Sequence, residues 1–285
     1  VGIRVESSSV DPNRGLLDET RDLLDRLFEK HQDLVQRYRL IKKGLDRAAR
    51  VQQSLLPARS PAAAGYDFAY LYRPCEEVGG DFYDYVECPD GLVLIVSDVI
   101  GHGFEAALTT MLMKELFQEV AASTTEPVEV LKTMNSRLHR ALPEGMFAAA
   151  AVVKLGPDLP EVRYANAGLP YPFVMRSSEG RLEEVELAGF PLGLFDGDAS
   201  PSYEARALSL APGDVLLVGS DGIHAVAGTA GDSFDDDRLG SLLRQLIGRS
   251  GEGILDALLS EFGIDEGDPL PDDVNLLAIT RVLTG

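Results

Sequence analysis

Four aspartate positions recur beside glycines or at the ends of apolar runs. Asp81 follows Gly79-Gly80, and Asp98 comes directly after Leu92-Val93-Leu94-Ile95-Val96-Ser97 and just before Gly101-His102-Gly103. Asp221 follows Val215-Leu216-Leu217-Val218 and precedes Gly222, while Asp272-Asp273 stand directly before Val274-Asn275-Leu276-Leu277-Ala278-Ile279. A carboxylate taken out of water is costly, and like charges gathered together cost more. Multivalent cations remove both penalties. A set of hard oxygen donors, with no cluster of histidines or cysteines, favours Mg²⁺ or Mn²⁺ over Zn²⁺. A single Asp-Gly is a common turn and carries little information. Four carboxylate sites, each tied to a strand end, point to one metal site if the fold brings those ends together. Most acids of the Glu76–Glu87 stretch read as surface charge, with Asp81 the exception.

Residues 16–57 read as a long helix. Leu17, Leu24, His31, Tyr38, Leu45 and Gln52 form one row spaced by seven; Thr20, Leu27, Leu34, Ile41, Ala48 and Leu55 form a second. These are the core rows of a coiled coil, with His31 a polar residue of the kind that fixes register. Leu23, Phe28, Val35, Ala49 and Val51 widen the stripe beyond a two-stranded seam, which fits a bundle or packing against the following domain. Gly44 in the helix interior is expected to mark a bend, and Pro57 to end the helix. The spacing divides the chain into a tail (1–15), a coiled-coil or linker helix (16–57) and a catalytic-size domain (58–285). In the last, strands are expected at 66–73, 80–87, 91–97, 147–155, 161–166, 171–176, 214–219 and 274–283. Helices are expected at 104–122, 127–141, 235–248 and 251–262. Helices follow helices rather than alternating with strands, so an antiparallel α+β layered domain fits better than a parallel doubly wound sheet.

The 285 residues are 45% hydrophobic and 25% charged, ordinary for a chain with a real core. The net charge of −20 is uneven. Residues 16–57 carry nine Lys/Arg against seven Asp/Glu; residues 58–285 carry fifteen against thirty-seven. Such a body repels nucleic acid and anionic membranes, and repels a phosphorylated substrate unless local cations reverse the field. No apolar run approaches the roughly 18–20 residues needed to span a bilayer, and the first residues do not read as a signal peptide. Cys75 and Cys88 make neither a disulfide framework nor a zinc pattern, which suits a reducing cytoplasm.

The motifs, in order, resemble the PP2C-like (PPM) serine phosphatases of the SpoIIE/RsbU branch. They are Ala49-Arg50-Val51-Gln52-Gln53-Ser54-Leu55-Leu56-Pro57, Val78-Gly79-Gly80-Asp81-Phe82-Tyr83-Asp84, Asp98-Val99-Ile100-Gly101-His102-Gly103 with Ala106-Ala107, Asn166-Ala167-Gly168, Pro191-Leu192-Gly193-Leu194, Gly213-Asp214, Ser220-Asp221-Gly222 and Asp272-Asp273-Val274. The resemblance implies an α-β-β-α sandwich of two antiparallel sheets flanked by helices, preceded by the long helix. It also implies a two-ion Mn²⁺ or Mg²⁺ site. Asp81 and Asp98 would be the central catalytic carboxylates, with Asp98 bridging and the Val99 carbonyl assisting. Asp221 and one of Asp272 or Asp273 would complete the ligands, Asp272 being favoured. Ile100 stands where the branch commonly has serine, and Leu169 where it commonly has histidine.

Two such ions would lower the pKa of a shared water for in-line attack on phosphoserine or phosphothreonine, with no protein nucleophile. The resemblance points to a phosphorylated anti-anti-sigma factor or similar STAS-domain protein as substrate, in a bacterial cytoplasm. The helix would be a homodimerising linker from an upstream sensor. The rival expectation is a non-catalytic scaffold of the same fold that binds a partner through the helix. His102 is a candidate general acid or, equally, a turn residue; Asp84, His139 and His224 read as structural or surface groups.

Overall fold

The computed structural model describes residues 12–156, 161–196, 202–226, 236–263 and 270–283. The chain divides into two compact units, Val1–Ala48 and Ala49–Gly285. Helix α1 runs from Pro12 to Leu55, starting four residues before the heptad rows suggest. Leu24, Leu27, Phe28, Leu34, Tyr38 and Ile41 along it are exposed.

The second unit is built on two five-stranded antiparallel sheets. One has the order β1 (Tyr66–Arg73), β10 (Val274–Arg281), β9 (Val215–Gly219), β6 (Phe173–Arg176) and β7 (Arg181–Glu184). The other has β2 (Phe82–Cys88), β3 (Gly91–Val99), β4 (Ala148–Leu155), β5 (Glu161–Ala167) and β8 (Ala205–Ser209). Helices α2 (Phe104–Ala121) and α3 (Pro127–Ala141) pack with the second sheet; α4 (Gly222–Ala225), α5 (Asp236–Gln245) and α6 (Gly251–Phe262) accompany the first.

Three apolar layers follow from side chains alternating across each strand. On β3, Leu92, Leu94 and Val96 enter the layer between the sheets, while Val93, Ile95 and Val99 enter the layer beneath α2 and α3. On β10, Leu277 and Ile279 face the other sheet, while Leu276 and Ala278 face the helices on the opposite side. Both faces of these strands are covered. That is why their sequences are almost continuously apolar rather than alternating with polar residues. Met113 and Phe117 anchor α2 with no exposed surface, each burial contributing about 2–3 kcal/mol. The result is the expected α-β-β-α sandwich.

The central strands and main helices lie close to their expected spans. Strands β7 and β8 and the four-residue α4 are additional. Helix α5 ends at Gln245, earlier than expected, and the expected start of that helix at 235 lies outside the described residues.

Candidate active site

The register places the aspartates at neighbouring strand ends. Phe82 pairs with Ser97, so Asp81, just before β2, lies beside Asp98 near the end of β3. Leu276 pairs with Gly219, which brings the residues before β10 next to those following β9. Ser220 and Asn275 join the two edges. The Ser220 hydroxyl donates to Asp81 Oδ2 at 2.6 Å and accepts from the Asn275 N–H at 3.1 Å. Asn275 Nδ2 then donates to the Phe82 carbonyl at 2.8 Å, crossing from one sheet to the other. Ser220 belongs to the Ser220-Asp221-Gly222 motif without a role of its own there, and Asn275 belongs to no motif; a lone polar residue before or within an apolar strand carries no periodic signal.

Two glycines permit this closeness. A Cβ on Gly79 would meet Asp273 Oδ2 at 2.6 Å, and one on Gly80 would meet the Val99 carbonyl oxygen at 2.8 Å. The Val99 N–H donates to the Gly80 carbonyl at 3.3 Å, tying the end of β3 to the residues before Asp81.

Asp81 is buried, and burial is the largest influence raising its pKa well above the usual carboxylate range. The negative charge of Asp98 raises it further, the Ser220 hydrogen bond opposes the shift, and Asp273 and Asp221 add smaller upward pushes. Asp98 is pushed up to about 7, first by burial and then by Asp221 and Asp272. Burial likewise raises Asp272, with the Asp273 N–H opposing. Asp81, Asp98, Asp221, Asp272 and Asp273 therefore share one electrostatic neighbourhood. Among the described residues, however, no three acidic, imidazole or thiol groups close around a single point.

Asp272 and Asp273 have different surroundings. Asp98, Asp221 and Asp272 line an open cleft of about 980 Å³. Asp273 is turned into the protein: Oδ1 accepts from the Cys75 N–H at 2.7 Å, and Oδ2 accepts from the Gly80 N–H at 2.6 Å and the Asp81 N–H at 3.4 Å. Its oxygens hold the loop that carries Asp81.

The chemistry of these donors fits divalent cations. Asp81 Oδ1 is buried with no hydrogen-bond partner among the described residues, an acceptor with unmet demand beside other carboxylates. Among the described residues, those lining the cleft include neither lysine nor arginine. A phosphoryl group entering it would meet negative charge unless cations intervened.

The remaining candidates take supporting places. His102 lines the cleft, with Nδ1 2.9 Å from Glu76 Oε1. Asp84 is buried, paired with Lys114 and accepting from Gln118 Nε2 at 2.6 Å; it fastens α2 to β2. His139 Nδ1 lies 2.9 Å from the Gly193 carbonyl, and His224 lines the cleft. Leu169, at the histidine position of the resemblance, is buried in the layer between the sheets. Ile100 is exposed at the cleft. The Cys75 thiol is pushed up to about 12 by burial and by Asp273, so it stays protonated and is no nucleophile at neutral pH.

Residues 89–282 match the family described as Stage II sporulation protein E (SpoIIE). The chain belongs to the SpoIIE family. It is 27% identical over 198 residues to the phosphoserine phosphatase RsbU of Bacillus subtilis, covering 69% of this chain and 58% of that protein. The chain thus spans a little over half the length of that relative. The solved PP2C domain of SiaA from Pseudomonas aeruginosa superposes with a TM-score of 0.72 at 26% identity, covering 86% of this chain and 97% of that one. RsbX, solved in complex with magnesium, shares the fold with a TM-score of 0.58 at 15% identity, over 78% of this chain and 98% of that one. This SpoIIE-family fold sets its acidic strand ends around the cleft.

Proposed function

We propose that this chain is a metal-dependent protein serine/threonine phosphatase acting on phosphoserine in a bacterial regulatory protein, an anti-anti-sigma factor or similar STAS-domain protein. The observation that carries the reading is the buried Asp81 oxygen, without a hydrogen-bond partner among the described residues, next to Asp98, which lines a cleft whose described lining residues include no lysine or arginine. Its similarity to a phosphoserine phosphatase supports the substrate class. Asp81, Asp98, Asp221 and Asp272 would hold two Mn²⁺ or Mg²⁺ ions, with the Val99 carbonyl assisting, and Asp273 would keep the Asp81 loop in place.

Bound ions would supply an activated water and neutralise the phosphoryl oxygens. Ser220 orients Asp81 through the hydroxyl it donates, leaving the other carboxylate oxygen available. Asp98 must be deprotonated to serve as a ligand, so metal binding should tighten as pH rises. His102, which lines the cleft, would be the candidate general acid for the leaving serine oxygen. Helix α1 would pair with a second copy and carry a signal from an upstream sensor in the cytoplasm.

Purified protein is expected to release phosphate from a phosphoserine STAS domain with Mn²⁺ and to stop on chelation. A folded preparation that hydrolyses no phosphoserine substrate under these conditions would overturn the reading. The exposed apolar row of α1 also suits a non-catalytic scaffold. Asp98→Asn separates the two: it should remove turnover in an enzyme, yet leave partner binding intact in a scaffold.

A further inference from the structure

Gln52 is the buried polar side chain of α1 among the described residues, while Gln53 and Ser54 beside it are exposed. Its position in a heptad row suggests a place in a helix–helix seam, but an amide adds little to an apolar seam. In the second compact unit it instead pairs with a single residue. Nε2 donates to the Gly79 carbonyl at 2.6 Å, and Oε1 accepts from the Gly79 N–H at 3.1 Å.

That residue begins the Gly79-Gly80-Asp81 sequence. Glycines have the greatest backbone freedom to lose, so two in succession before a ligand leave its position loose unless other groups fix them. Here both are fixed. Gly80 donates to Asp273 Oδ2 at 2.6 Å, and its carbonyl accepts from the Thr110 hydroxyl at 2.8 Å. Gly79 relies chiefly on Gln52, with Thr110 a distant second donor to its carbonyl at 3.5 Å. Without the amide, a buried N–H would lose its partner and a buried carbonyl its short one.

We propose that Gln52 is a positioning residue for Asp81: the end of the N-terminal helix sets the backbone from which the metal-site carboxylate projects. The inference rests on the metal-dependent reading of the site. It also means that any movement of the helix end that withdraws Gln52 loosens the Asp81 loop, with no change in the carboxylates themselves.

The test compares the full chain with Gln52→Ala and, as a control on an exposed neighbour, Gln53→Ala. Isothermal titration with Mn²⁺ is expected to show affinity about tenfold weaker for Gln52→Ala and unchanged for Gln53→Ala, the size expected from two net hydrogen bonds. Turnover of a phosphoserine substrate should recover to within about twofold at saturating Mn²⁺, because Gln52 acts on the geometry of binding rather than on the reacting atoms. Hydrogen exchange should accelerate at the Gly79 amide while the strand β3 amides stay protected. Gln52→Ala binding Mn²⁺ within about twofold of the parent would overturn the inference, as would general loss of exchange protection. A parent protein that binds no Mn²⁺ overturns the metal reading instead, and this inference with it.

Discussion

Asp272 and Asp273 are chemically identical neighbours doing different work. Asp272 faces the cleft beside Asp98 and Asp221; Asp273 accepts three backbone N–H groups from the Cys75–Asp81 loop. Replacing Asp273 by alanine leaves those donors without their acceptor, and each unpaired buried group costs on the order of 1–3 kcal/mol. We expect Asp273→Ala to lower stability in urea by about 3 kcal/mol, with metal affinity reduced as a consequence. Asp272→Asn keeps an oxygen for the Asp273 N–H and removes a repelled charge, so its stability should match or exceed the parent's while Mn²⁺ affinity falls at least tenfold. Equal loss of stability in the two variants would show that the division of labour is wrong. Strand-end position made the Asp-Asp pair visible, and only the family resemblance favoured Asp272; which member faces the cleft depends on the turn into β10, which hydrophobic periodicity does not encode.

At the scale of elements, the long helix and the two-sided strands were the most legible parts. Helix α1 announces itself through two rows spaced by seven, and β3, β4 and β10 through apolar runs too short for helices. Strands β7 (Arg181–Glu184) and β8 (Ala205–Ser209) escaped because each is a short sheet-edge element without β-branched or aromatic residues; pairing with β6 and β5, rather than local preference, makes them strands. The strand-end aspartates were readable as candidates, whereas Ser220, Asn275 and Gln52 gain their roles only when distant segments meet. The exposed row on α1 carries its own prediction. Leu27 and Leu34 keep 55% and 66% of their surface accessible, apolar area that a partner surface could cover. If they face a second copy, Leu27→Asp with Leu34→Asp places charges in the seam and should convert a dimer to a monomer in light scattering, with the circular dichroism of the sandwich unchanged. An unchanged mass would remove this row from any dimer contact.

Over the whole molecule, the carboxylates that suit a metal site work against the fold that holds them. Burial, with Asp221 and Asp272 beside it, pushes Asp98 up to about 7 in the folded chain, against about 3.9 for an unperturbed aspartate. The folded state therefore holds a proton there that the unfolded chain has already released, across the interval from about 4 to 7. A raised carboxyl pKa means that stability falls as pH rises through this interval and levels off above the folded value. Asp81 and Asp272 are shifted in the same direction, and the net charge of −20 adds a diffuse repulsion that also grows as carboxyls ionise. Mn²⁺ should reverse the trend, because it binds the ionised carboxylates and so binds more tightly as they lose their protons. Calorimetry of the metal-free protein is expected to give a lower melting temperature at pH 7.5 than at pH 5.5, and the increment from added Mn²⁺ should be larger at pH 7.5. In Asp98→Asn the acid-side advantage should shrink, since the titrating group is gone. A metal-free protein that gains stability between those two pH values would mean that its carboxylates are paired with cationic groups rather than with one another.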